Sequence, residues 1–194
     1  MSQRNGARIV LKDDFPANLA TFGGVVSRPD GDGNLVATAT LVDGASCELI
    51  ARHTSRVGAD TVGDLLPAML EALAGLPRAP DVMFVGGHGT ADQERAGLAV
   101  RFGLASDLPC IGVADEVPEG LQVLNSLHDM RGAFTPLRKG QFQVGWMLRS
   151  RIGSEPLVVS PAHRVAMASS PELVMRCIRG HRLPEPLRLA AEPS

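Results

Sequence analysis

Residues 82–93, VMFVGGHGTADQ, set four consecutive apolar side chains, Val82 to Val85, directly before a glycine-rich turn. A strand whose side chains are all apolar is one covered on both faces, as in parallel sheets flanked by helices. The following ERAGLAVRFGLASD has helical character with glycines for close packing, and LPCIGVA repeats the buried-strand pattern. Strand, helix, strand predicts a parallel crossover. Ligands and catalytic groups in such sheets gather beyond the carboxyl ends of the strands. Gly86, Gly87, His88 and Gly89 fall there, and His88 alone of these four brings a functional side chain.

The rest of the chain fits around that crossover. FGGVVSRPDGDGNLVATATLVDG reads as a hairpin with a Pro-Asp-Gly-Asp-Gly turn, and SCELIARHTSRV as a third antiparallel strand. TVGDLLPAMLEALAGL then switches to helical period, with Leu65, Leu66, Met69, Leu70 and Leu73 forming the apolar stripe. Asp64 is placed as its N-cap, Pro67 sits in the first turn, and Gly75 stops it. QFQVGWMLRS and PLVVS read as strands, SPELVMRCIRG as a helix from Ser170 to Gly180, and RLPEPLR as an extended tail. The expected class is α/β: a ribonuclease H-like mixed sheet, an antiparallel meander followed by parallel strands, with flanking helices. The expected organisation is an arm over 1–20, one domain over 21–188 and a tail over 189–194.

Composition narrows the function classes. The 194 residues carry a formal charge of −2, so no global basic field draws in nucleic acid, although 19 Lys and Arg leave room for a local groove. Six Phe, one Trp and no Tyr supply few platforms for stacking bases. Cys47, Cys110 and Cys177 are odd in number and lack metal-site spacing, which suits a reduced cytoplasmic compartment. No signal peptide or membrane span is legible.

From Pro80 onward the stretches PDVMFVGGHG, GLAVRFGLASDLPCIGVA, AHRV and RCIRGHRLPEPLR resemble, in order and spacing, the endonuclease V family of metal-dependent nucleases that nick near deaminated bases such as inosine. The resemblance covers residues 80–188 and extends more weakly to the meander and first helix. It implies a ribonuclease H-like fold and carboxylates on the first strand, at the start of the first helix and in an Asp-Gly-His/Asn-Gly turn, together holding a divalent metal. Those positions fall here at Val25 (or Gly24), near Leu65 with Asp64 beside it, and at Gly86. The resemblance also implies a lysine after GVA, where this chain has Asp115, and a basic segment after the turn, where it has Asp92-Gln93-Glu94-Arg95. A strand-parting wedge corresponds to Ser55-Arg56-Val57-Gly58, without aromatic or proline. Exchanging a cation for an anion about 6 Å from a phosphate changes the interaction by about 5 kcal/mol at an effective dielectric near 20.

Each singled-out residue has a structural and a functional reading. Asp64 is a helix cap or a lone metal carboxylate. His88, and His163 with Arg164, are hydrogen-bonding residues of the framework or walls of a pocket, the resemblance placing His163 near the metal centre. Gly86, Gly87, Gly89 and Gly112 are tight-turn glycines or the floor of a base pocket. The expectation is an endonuclease V-like protein that has lost metal-dependent cutting and holds neither metal nor cofactor. Its pocket would be reused for a smaller ligand or metal-free acid–base chemistry, with His163, Asp92, Asp115 and Asp64 catalytic and Gly86, Gly87, His88, Gly89, Arg101 and Arg164 binding. A small-molecule partner is then expected, nucleic acid only weakly, and no membrane. The alternatives are a non-catalytic module for nucleic acid or protein, and an active inosine-specific endonuclease with an unconventional metal site.

Overall fold

A computed structural model describes residues 8–58, 64–92 and 97–193. Its strands are β1 (Thr21–Pro29), β2 (Leu35–Asp43), β3 (Leu49–Val57), β4 (Val82–Gly86), β5 (Cys110–Ala114), β6 (Gln122–Val123), β7 (Phe134–Lys139), β8 (Phe142–Leu148) and β9 (Leu157–His163). They form one mixed sheet in the order β3-β2-β1-β4-β5-β9-β8-β7-β6. The meander β1–β2–β3 is antiparallel, β1, β4 and β5 run parallel, and β9 returns antiparallel against β5. The helices are α1 (Leu66–Ala74), α2 (Leu98–Ser106), α3 (Ser170–Arg176) and α4 (Glu185–Ala191). This is the expected α/β, ribonuclease H-like architecture.

Strand β4 shows why the sheet is covered on both sides. Its side chains point alternately to opposite faces. Val82 and Phe84 join Phe22, Ile111, Leu173 and Leu187 in one core, on the side of α3 and α4. Met83 and Val85 join Val25, Met69 and Phe102 in the other, on the side of α1 and α2. All four are fully buried.

The helix ends differ from expectation in instructive ways. Leu65, not Asp64, holds the N-cap position of α1, yet the Asp64 carboxylate accepts the Leu66 N–H at 3.1 Å, so the side chain caps from one residue upstream. Gly75 ends α1 as anticipated. RLPEPLR is not extended throughout: α4 starts at Glu185, with Pro186 in its first turn, where a missing N–H costs nothing. Arg188 clamps Glu185 through the guanidinium at 2.7 Å. Helix α3 stops at Arg176, short of Gly180. Strand β7 lay unseen because Pro136 and the polar residues around it blur its alternation. The residues 1–7 of the arm and the segment 93–96 before α2 lie outside the described residues. None of the described helices is long and apolar enough to cross a membrane.

Candidate functional site at the strand tips

The carboxyl ends of β1, β4 and β5 open into a cavity of about 350 Å³ lined by Val26, Gly86, Gly87, Val113, Ala114, Asp115, Leu183, Leu187 and Ala191. A Cβ built on Gly86 would point into this space and meet Val26 Cγ1 at 3.3 Å. Val26 is therefore the β1 residue beside Gly86, whereas Val25 faces away into the α1–α2 core, fully buried. The sequence reading puts this position at Val25 or Gly24, whereas the pairing of Val25 with Val85 brings Val26 beside Gly86; a one-residue slip moves a side chain to the other face.

The GGHG turn is wedged by its own backbone. Gly87 N–H donates to Val113 O at 2.9 Å, Gly89 N–H to Ser160 Oγ at 2.9 Å, and Ala99 N–H at the start of α2 to His88 O at 3.0 Å. A Cβ on Gly89 would lie 2.6 Å from Ser160 O, and one on Gly112 would lie 2.6 Å from Gly87 O. These two glycines are required by close approach of the chain to itself. Gly86 and Gly87 of this turn line the cavity.

His88 is half-buried, and its Nδ1 is enclosed without a hydrogen-bond partner among the described residues. Burial lowers its pKa below the ordinary 6.5, with Asp92 and Glu116 pulling weakly the other way. Protons are then bound preferentially by the unfolded chain, so the stability is full above pH 6.5 and is lost as the pH falls below that value through the lower folded-state pKa. In an NMR titration the His88 ring is expected to titrate below 6.5, and a midpoint above 6.5 would contradict this environment.

The other singled-out residues divide into separate clusters. Asp64 accepts from Arg101 Nη2 at 2.7 Å, both side chains 40% exposed, and that guanidinium holds the Asp64 pKa below its usual value. Asp115 pairs with Arg182, which also donates to the carbonyls of Glu155 and Pro156. Asp115 is therefore not a bare anion: a guanidinium from the segment before α4 answers it. Asp92 sits beside His88 on the turn.

His163 and Arg164 lie at the other end of the sheet. Gly86 is in register with Val113, while His163 is in register with Cys110, three residues back along β5 and so about 10 Å away. There His163 accepts the Val10 N–H at Nδ1 and donates from Nε2 to Asp107 at 3.1 Å. Arg164, with φ of 53°, bonds Asp14 and the Asp107 carbonyl. Together they pin the arm, residues 8–14, against the α2–β5 turn. The single pocket expected from Asp92, Asp115, His88, His163 and Arg101 is thus not formed. Sequence reasoning missed Val26, Arg182, Leu187 and Ala191, because the pairing of β1 with β4 and the fold of the segment before α4 bring them here and no local pattern signals either.

The residues present do not fit the divalent-metal set that the resemblance implies. Val26 and Gly86 offer no side-chain oxygen, Asp64 and Asp115 are each engaged by a guanidinium, and no three His, Cys, Asp or Glu of the described residues converge. Ser55, Arg56 and Val57, at the wedge position, end the edge strand β3, where Arg56 pairs with Asp30 at 3.3 Å.

Comparison with known proteins bears on identity. The family model for endonuclease V matches residues 4–192. The endonuclease V of Azotobacter vinelandii is 41% identical over 98% of this chain and 88% of its own length. The crystal structure of endonuclease V from Streptomyces avermitilis superposes with a TM-score of 0.82 at 30% identity, covering 94% of this chain and 83% of that one. Ciona intestinalis endonuclease V, in complex with a 24mer DNA containing an inosine followed by a ribo-adenosine, shares the fold with a TM-score of 0.73 at 18% identity, covering 94% of this chain and 87% of that one. The expectation of a dismantled nuclease with a reused pocket is overturned by this full-length likeness to proteins named for the activity, and by the dispersal of the residues meant to line the new pocket. On the family model and the near-complete coverage at 41% identity, this chain belongs to the endonuclease V family.

Proposed function

We propose that this protein is an inosine-directed endonuclease acting on nucleic-acid strands at the tips of β1, β4 and β5. The observation that carries the reading is the 41% identity to an endonuclease V over 98% of the chain. Inosine is the deaminated base that the family resemblance implies, and the Ciona protein that shares the fold is bound to inosine-containing DNA. The geometry supports the location. The turn from Gly86 to Gly89 stands at the carboxyl ends of the parallel strands, where α/β sheets seat their ligands. Helix α2 packs its first turn on that same loop.

Among the residues singled out, Asp64, Arg101, His88, Asp92, Asp115 and the Gly86–Gly89 turn are assigned to this end of the molecule. His163 and Arg164 are assigned to docking the arm. The reaction is placed in a reduced intracellular setting, in keeping with three free, buried cysteines.

The test is cleavage of an end-labelled strand containing one inosine, against the same strand with adenosine, in Mg²⁺ and in Mn²⁺. Nicking confined to the inosine strand is expected. Asp64→Ala is expected to lower the rate by about tenfold or more, while shifting stability by no more than about 1 kcal/mol, since both partners of its ion pair are partly exposed. Equal treatment of both strands, or no cutting of either, would overturn the proposal.

A further inference from the structure

We infer that the cavity between β7 and α3 takes an unpaired nucleobase of the strand held at the tips of β1, β4 and β5, stacked on Phe134. This rests on the proposed endonuclease reading and extends it by a second place where the strand is gripped.

Of the six phenylalanines, Phe22, Phe84 and Phe102 are fully buried, and Phe134 and Phe142 are more than half exposed. Phe134 lines a cavity of about 350 Å³ with Gly132, Ala168, Pro171, Glu172 and Met175. Trp146 braces its ring edge-on, with centroids 5.0 Å apart and planes at 86°, and Trp146 is itself fixed by its Nε1–H, which donates to Met167 O at 2.8 Å. A ring held in this way and still 53% exposed offers a surface to any base, because every base has a π face. Met175 adds a polarisable thioether and Pro171 hydrocarbon. Glu172 is the one charged group in the lining. Its carboxylate accepts from the amino and ring N–H groups of a base but repels phosphate, so the base enters and the backbone stays outside.

The charge nearby suits a nucleic-acid strand. Residues 121–155 hold five basic side chains, Arg131, Arg138, Lys139, Arg149 and Arg151, against two acids, Asp129 and Glu155, so the chain's net negative charge lies elsewhere. Arg131 precedes the cavity residue Gly132, whose N–H donates to Arg149 O at 2.7 Å, so two of the five belong to segments that border the cavity.

The cavity also lies within reach of the strand tips. Gly86 is in register with Val113, Val113 with Val159, and Val159 with Trp146. Trp146 thus stands on the cross-sheet row of Gly86, three strands over and about 14 Å away. At about 3.4 Å per stacked nucleotide, that is a span of about four nucleotides. Both cavities share a face of the sheet, since Val26, Leu183 and Leu187 of the one and Met175 of the other pack on the same core, with Trp146. Arg182 links them: its guanidinium bonds Asp115 of the first cavity, and its carbonyl accepts from Ser150 Oγ, next to Arg149.

Trp146, the sole tryptophan, is the reporter for the test. Its emission is followed at low salt in EDTA, so that no strand is cut, during titration with two inosine-containing single strands. The long one extends about six nucleotides to each side of the inosine, beyond the span above; the short one extends a single nucleotide to each side. The long strand is expected to change the emission, and Phe134→Ala to weaken its binding by about five- to 150-fold. Binding of the short strand is expected to stay within about twofold, and Phe134→Tyr to restore the long strand's affinity. Phe134→Leu, which keeps apolar contact with Trp146 but has no π face, serves with the same expected loss if Phe134→Ala does not fold by circular dichroism. No binding of the long strand, unchanged emission on saturation, equal affinity of wild type and folded variant, or equal loss on both strands would overturn the inference. So would self-association of the wild type that Phe134→Ala abolishes, because a second copy would then fill the cavity. Equal binding of a long strand with adenosine in place of inosine, with the Phe134 effect retained, supports the inference and counts against the proposed function instead.

Discussion

Gly112→Val is expected to cost at least about 3 kcal/mol of folding stability, enough to leave much of the protein unfolded or aggregated on expression. Strand β5 passes directly beneath the GGHG turn, and a Cβ at 112 would lie 2.6 Å from Gly87 O and 2.8 Å from the His88 carbonyl carbon. Both obstacles are backbone, and the same loop is tied to β5 and β9 by the Gly87 and Gly89 N–H bonds. Nothing there yields by changing a rotamer, so strands β4, β5 and β9 would have to part. Gly31→Ala is the control, since a Cβ at 31 meets nothing within 4 Å and the residue does not have a left-handed φ. Its urea midpoint is expected within error of wild type. Equal midpoints for Gly112→Val and wild type would show that the turn does not press on β5 as described.

Phe84→Ala is expected to cost about 3–5 kcal/mol, lowering Tm by about 10 °C for a chain of this size. Phe84 is fully buried at the centre of β4 and stacks on Phe22 with ring centroids 5.6 Å apart and planes 6° from parallel. Arg176 closes over the far ring at 5.4 Å from its centroid. Removing the ring leaves a hole between β1, β4 and α4 that neighbouring side chains fill only in part. Phe142→Ala, at a position 66% exposed, removes the same atoms with an expected change within about 0.5 kcal/mol. A small effect at Phe84 would mean that β4 is not the covered central strand.

The sheet was legible in the sequence because its signals are local. Val82–Val85 and Cys110–Ala114 read as doubly covered strands, and the Pro-Asp-Gly-Asp-Gly turn fixed the β1–β2 hairpin. What stayed hidden depended on distant partners. Helix α4 forms where proline-rich sequence reads as extended, because Thr40 Oγ1 bonds the Pro186 carbonyl at 2.6 Å and Leu187 packs into the core. The face of Val26 against Val25 is set by pairing with β2 and β4, which a run of two valines does not reveal. The site suffered more. Asp115 reads as a bare anion until Arg182, 67 positions away, is seen to answer it. His163 reads as a pocket residue until the reversed direction of β9 carries it to the opposite end of the sheet.

The location of the nucleic-acid site is tested most directly by hydrogen–deuterium exchange of the protein with and without an inosine-containing strand. Binding is expected to slow exchange in the turn after β4, at Gly87 to Asp92, and at Ala114 to Glu116, while leaving Asp107 and Arg164 at the far end unchanged. Protection confined to the Asp107–Arg164 end, with the turn unaffected, would contradict the account.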